Sequence, residues 1–384
     1  MKEKLMREIY LDHAATTYLD PMVLEAMLPY FQEEYGNPES LHQKGQNARV
    51  ALDQARSTIA QLLNCQSNEI IFTSGGTESN NLAILGIAQA SKGKHIIISA
   101  IEHSSIFEPC KFLEKNGYEI TILPTDKEGF INLEELKNAI RPDTILVSII
   151  YANNEIGTIQ DIKKIGEICR ANKVPFHTDA CQATGVENIN VEELNIDLMT
   201  LNASKIYGPK GVGALYINQS VNIKTIQFGG GQENNLRSGT HNTTGIIGLA
   251  KALELSQKNR NQENQRLTKL RDQLIDNILK LVPHSQLNGP RQNRLANNIN
   301  LSFQGVRGEE LLLHLDNLGI YISTGSACQA RSAKSSSVLK ALGLKRDLID
   351  STIRISLGKK NTDSDIDYLI EILPDLISKL RKRG

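Results

Sequence analysis

The sequence predicts an α/β fold, with a mostly parallel central sheet flanked by helices and a smaller α+β unit after it. Three observations carry this expectation. Between about residues 60 and 220, short apolar runs alternate with helical patterns, which is how parallel sheets with helices on both faces are built. The runs are continuously apolar, as in Ile96-Ile97-Ile98, which is how strands buried on both faces read. Polar or glycine-containing loops follow the runs directly, at the strand ends where ligand sites of such sheets lie.

Taken in order, the runs at 70–72, 95–99, 119–123, 144–150, 175–178, 198–200 and 213–217 read as strands. Helical patterns fall at 77–90, near 105–116, at 133–140 and at 162–172. A long one covers about 245–281. Beyond it, segments 298–303, 308–318, 320–323, 336–342 and 352–356 imply the smaller unit. A chain of 384 residues exceeds one ordinary hydrophobic core, so two domains are expected. The division is placed near residue 260, giving a large domain over 1–260 and a small one over 261–384, with the N-terminal segment packing on the small domain.

Composition excludes several function classes. Lys plus Arg equals Asp plus Glu at 43 each, so no general attraction to nucleic acid or anionic lipid is expected. The basic run 379–383 reads as a solvated helix end. No run reaches the ~20 apolar residues of a membrane helix, and Met1-Lys2-Glu3-Lys4 leads into no apolar stretch. The 5 cysteines form no CxxC pair, so neither a disulfide framework nor a resident metal site follows, and a cytoplasmic setting is expected.

Five strand-end loops carry the chemistry. Thr73 to Asn81 holds two glycines and capping residues before a helix, and so offers an anion site, although a plain capped helix reads the same. His103 follows the second strand, where an imidazole either packs or lies over a planar ligand. Asn153-Asn154-Glu155-Ile156-Gly157 is polar for a sheet end, and a local turn is its plain alternative. Asp179 ends a buried strand, a costly place for a carboxylate without a partner. Lys205 stands between an apolar strand and the turn Gly208-Pro209, a position suited to an imine-forming lysine. A phosphate cup, a ring stacker, an acid for a ring nitrogen and a lysine are the parts a pyridoxal-phosphate (PLP) enzyme needs.

The residues resemble a known family. Tyr10 to Thr17, Gly36-Asn37-Pro38, Phe72 to Asn81, Asn153 to Gly157, Asp179-Ala180 and 205–213 match the cysteine desulfurases, in the class V aminotransferase group of fold-type I PLP enzymes. So do Arg237 to Thr240, Gly325-Ser326-Ala327-Cys328 and Ile353 to Gly358, and the likeness therefore covers nearly the whole chain. The resemblance implies a PLP cofactor held by Lys205, which also moves the substrate's Cα proton. It implies that Asp179 pairs with the ring nitrogen and that His103 stacks on the ring and takes part in catalysis. Gln182 and Asn154 lie near the ring hydroxyl and the substrate, and Arg354 holds the substrate carboxylate. Gly76, Thr77, Asn202 and Ser204 hold the phosphate, and Thr240 reaches it from the partner of a homodimer. Cys328 is the nucleophile that takes sulfur from L-cysteine, and it also serves as a transient iron–sulfur ligand.

The sulfur then goes to an acceptor protein for iron–sulfur cluster assembly or nucleic-acid thiolation. A selenocysteine or cystine lyase on the same fold is the alternative. Two departures stand out. Asn202-Ala203-Ser204 replaces the usual Ser-Gly-His, and the stretch 329–337 after Cys328 is more basic than its counterparts. Cys65, Cys110 and Cys169 read as small core residues in helices, and Cys181 as packing near the cofactor.

Overall fold

The computed structural model describes residues 8–324 and 335–382. Twelve strands are assigned in it. They are β1 (Ile9–Tyr10), β2 (Ile70–Thr73), β3 (His95–Ser99), β4 (Glu119–Leu123), β5 (Thr144–Ser148) and β6 (Phe176–Asp179). The remainder are β7 (Leu198–Asn202), β8 (Gly213–Ile217), β9 (Ser285–Leu287), β10 (Asn298–Phe303), β11 (Ile320–Tyr321) and β12 (Thr352–Ser356).

The large sheet has seven strands in the order β2-β8-β7-β6-β5-β3-β4. β8 is antiparallel to both neighbours, and the other six run one way. β2, β3, β5, β6 and β8 are buried throughout, which explains their unbroken apolar or small-polar character. β4 lies at the edge and leaves Ile122 half exposed. The histidines within strands are structural. His95 bridges Thr144 and Thr121 at 2.7 Å each, and His177 joins Ser148 at 2.8 Å to Thr200 at 3.0 Å. Burial pushes the His177 pKa down to about 4, as befits a neutral cross-strand link.

Helices cover both faces. Ile162–Ala171 shows the rule in miniature: it buries Ile162, Ile165, Gly166 and Cys169 at helical spacing, and the Asp161 side chain caps its first turn. The long helix Thr243–Leu281 packs Ile246, Leu249 and Leu253 into the core under the large sheet. Its second half packs Leu267, Leu270, Leu274 and Ile278 into a separate core, built on the sheet β12-β10-β9. Ile9 and Leu11 belong to this second core. β1 pairs in parallel with β11, and the Leu11 carbonyl accepts from the Ser356 N–H at 2.7 Å. The N-terminal segment is thus stitched between β11 and β12.

The strand expected over 144–150 stops at Ser148, and the one expected to end at 178 extends to Asp179. Cys65 lies just beyond the helix Gln43–Leu63, which Asn64 ends in the left-handed conformation (φ 58), and not within a helix. The helix Asp363–Arg381 carries Lys379 and Arg381 in its last turn, as the basic run implied.

Candidate active site

Because six strands are parallel, the C-terminal ends of β2, β3, β5, β6 and β7 meet along one edge of the sheet. After β2 the chain turns through Gly75 (φ +148), a backbone conformation that side chains rarely adopt. A Cβ on Gly76 would come within 2.6 Å of Cys181 Sγ, so only glycine fits where the helix Gly76–Ala90 begins. Its first turn leaves N–H groups without intrahelical acceptors, and the dipole there favours an anion.

His103 is the N-cap of the helix Ser104–Lys115, and its Nδ1 accepts from the Ser105 N–H at 3.1 Å. Asp179 is 5% exposed. Its Oδ1 accepts from the Cys181 N–H at 2.9 Å and its Oδ2 from the Asn80 amide at 2.7 Å. Lys205 ends a short 3₁₀ turn after β7, and its Nζ donates to the Ala14 carbonyl at 2.9 Å. Gln182 donates to that same carbonyl at 2.9 Å. The N-terminal segment also braces the lysine turn, since the Thr17 N–H donates to the Ser204 carbonyl at 2.9 Å. Arg354, on β12, is buried. It donates to Asp12 Oδ1 at 2.6 Å and to the Asn154 carbonyl at 3.3 Å, and its Nε meets no acceptor among the described residues.

These groups surround one cavity of about 230 Å³. Gly76, Thr77, Asn202 and Lys205 line it, as do His103, Asn154, Asp179, Gln182 and Arg354. Ser204 does not, since its hydroxyl is turned to Asn202 Oδ1 at 3.1 Å. Thr240 is exposed and outside it. Cys328 lies outside the described residues. The sequence reading assigned no role to Asn80, Ser105 or Asp12, all of which hold cavity groups by hydrogen bonds. For Asn80 a signal existed: it stands one helical turn beyond Gly76, on the same face.

Two buried acids flank the cavity. Glu102 accepts from Ser99 Oγ at 2.5 Å and from the Ile150 N–H at 2.8 Å, and burial pushes its pKa up to about 8. Glu155 accepts from Ser336 Oγ at 2.6 Å, and burial raises its pKa also. The four described cysteines are weak nucleophiles for the same reason. Burial lifts Cys65 and Cys110 to about 12, and pushes Cys169 and Cys181 upwards too.

The residues fit a phosphorylated, cationic, flat ligand carrying an aldehyde. The glycine turn suits the phosphate, and Asp179, whose hydrogen bonds come from neutral N–H groups, suits a ring N–H⁺. His103 supplies a flat face, Lys205 an amine, and the unmatched Arg354 Nε a donor for a carboxylate.

The class-V aminotransferase family pattern matches residues 9–369. A cysteine desulfurase IscS of Clostridium botulinum is 50% identical over 380 residues, covering 98% of this chain and 96% of the relative. A solved NifS-like protein is 36% identical with a TM-score of 0.91, covering 97% of this chain and 100% of that one. A solved SspA in complex with cysteine is 36% identical with a TM-score of 0.81, covering 91% of this chain and 98% of that one.

Proposed function

We propose that in this chain, which belongs to the class-V aminotransferase family and is a PLP-dependent cysteine desulfurase, Lys205 holds the cofactor and Cys328 receives the sulfur. The observation that carries the assignment is the meeting of Lys205, Asp179 and His103 in one cavity with the glycine turn of Gly76. When bound, PLP supplies an aldehyde for the substrate amine and a ring that accepts electrons.

Every other task falls to the chain. The Gly76–Thr77 turn and Asn202 hold the phosphate. Asp179 would keep the ring nitrogen protonated, and His103 would stack on the ring. Gln182 and Asn154 orient the ring oxygen and the substrate. Arg354 takes the cysteine carboxylate, with Asp12 holding the guanidinium from behind. The Lys205 amine would move the Cα proton. L-cysteine and the Cys328 thiol give L-alanine and a Cys328 persulfide: the Cβ–Sγ bond breaks, an S–S bond forms, and a proton goes to alanine's Cβ. The raised pKa values of the four described thiols, which disfavour their thiolates, support Cys328 for this step. A sulfur-acceptor protein, serving iron–sulfur assembly or thiolation, then takes the persulfide sulfur.

The protein acts in the cytoplasm as a homodimer, with Thr240 completing the partner's phosphate site. The exposure of Thr240 outside its own cavity supports this, as does the Arg237–Glu78 ion pair at 2.7 Å that anchors its segment. Two cores that change over along the helix Thr243–Leu281 support domains over 1–260 and 261–384. In the described residues no helix is long and apolar enough to cross a membrane.

Cys328→Ser tests the assignment. The variant is expected to bind PLP and show the wild-type absorption change on adding cysteine, yet release little sulfide or alanine. Sulfide release at the wild-type rate would exclude Cys328 as the acceptor.

A further inference from the structure

Along the cavity wall, four side chains form a hydrogen-bond chain whose direction is fixed at both ends. At one end the Ser105 backbone N–H meets His103 Nδ1 at 3.1 Å, so Nδ1 bears a lone pair and the ring proton sits on Nε2. The Ser105 hydroxyl, 2.7 Å from the same Nδ1, therefore donates to it. At the other end the Asp179 carboxylate accepts only, so the Asn80 amide presents its NH₂ group there, at 2.7 Å. That NH₂ also donates to Ser105 Oγ at 2.8 Å. Flipping the amide would set its oxygen against the carboxylate and remove both bonds. Asn80 and Ser105 are buried, at 1% and 6% exposure, which strengthens the contacts Asn80 makes to Ser105 and Asp179.

We propose that Asn80 and Ser105 are positioning residues that hold His103 as its Nε2–H tautomer and fix its ring relative to the Asp179 carboxylate. Nδ1 takes no proton without expelling the Ser105 N–H, so any proton that His103 exchanges passes through Nε2. The proposal rests on the reading that His103 and Asp179 face the cofactor.

Long-range ¹H–¹⁵N spectra of the full-length, PLP-loaded protein labelled in histidine report the tautomer directly, and His103→Gln identifies the His103 signals. The wild type is expected to show a protonated Nε2 and a bare, hydrogen-bonded Nδ1. Asn80→Ala, which removes no atom touching His103, is expected to shift the Nδ1 signal. In a Ser105→Ala background the same change is expected to leave that signal unmoved. Ser105→Ala is expected to lower kcat about tenfold, the worth of one hydrogen bond, with KM for cysteine within about twofold. Ser105→Thr is expected to restore kcat. A wild-type His103 protonated on Nδ1 would overturn the proposal, as would an Nδ1 signal indifferent to Asn80→Ala or an unchanged kcat in Ser105→Ala. The tautomer is read without turnover. An inactive protein with the expected spectra would therefore count against the catalytic assignments and leave the hydrogen-bond chain standing.

Discussion

Two buried polar regions of this molecule are built to opposite plans. Around Glu233 the plan is closed at the carboxylate, and the one unmatched buried atom of the cluster among the described residues is His241 Nδ1. Its carboxylate accepts from both ends of the Arg56 guanidinium at 2.7 and 2.9 Å, from the Phe72 N–H at 2.8 Å, and lies 2.9 Å from His241 Nε2. Burial alone would raise the Glu233 pKa, but His241 and Arg56 hold it down to about 2. The segment closes on itself through three successive left-handed residues, Glu233, Asn234 and Asn235. Around the cavity the plan is open. Asp179 is served by neutral donors, Arg354 Nε meets no acceptor among the described residues, and Asn80 Oδ1 and Glu102 Oε2 are likewise unmatched. A closed charge cluster fixes backbone, whereas an open set of polar groups keeps capacity for a ligand.

The sharpest way to break this contrast is Lys205→Ala. Turnover is expected to fall by on the order of 10⁴-fold or more, while unfolding free energy changes by less than about 1 kcal/mol. Borohydride reduction of the wild type followed by peptide mapping is expected to mark Lys205, and a label on another lysine would remove it from the centre of the open region.

Glu233→Ala probes the closed region and should act on stability. Removing one partner of a buried ion pair costs about 3 kcal/mol, read as a lower urea midpoint. The folded pKa is depressed, so Glu233's contribution is present above the ordinary carboxylate value and fades as pH falls towards about 2. A variant that lost turnover at unchanged stability would collapse the distinction.

The smallest effect is expected from Glu102→Gln. The Glu102 pKa is raised, so its contribution is full at low pH and is lost as pH climbs from the ordinary carboxylate range through about 8. The glutamine variant should flatten the stability profile by about 1 kcal/mol per pH unit within that window. A profile as steep as the wild type's would show that Glu102 is ionised in the folded protein.

The large sheet and most of its cavity were legible because each part is local. An apolar run followed at once by Gly76, His103, Asn154, Asp179 or Lys205 is visible in a window of ten residues. The pairings that tie these groups together were not legible. Arg354 and Asp12 stand 342 positions apart and no spacing rule joins them. β9 is three half-buried residues, Ser285-Gln286-Leu287, with no pattern of its own, and only β10 beside it makes it a strand. Ser204 was read as a phosphate ligand from its place before the lysine, whereas its hydroxyl serves Asn202.

The stitching of the N-terminal segment between β11 and β12 also sets an order of events during synthesis. Residues 9–12 leave the ribosome long before their partners Ile320, Tyr321, Arg354 and Ser356. All seven strands of the large sheet are available once residue 217 has emerged. Until β12 arrives, however, Asp12 lacks the Arg354 guanidinium and the Leu11 carbonyl lacks the Ser356 N–H. The backbone that receives Lys205 through the Ala14 carbonyl is therefore secured only after β12 has emerged, and a nascent chain that still lacks β12 cannot complete the cavity.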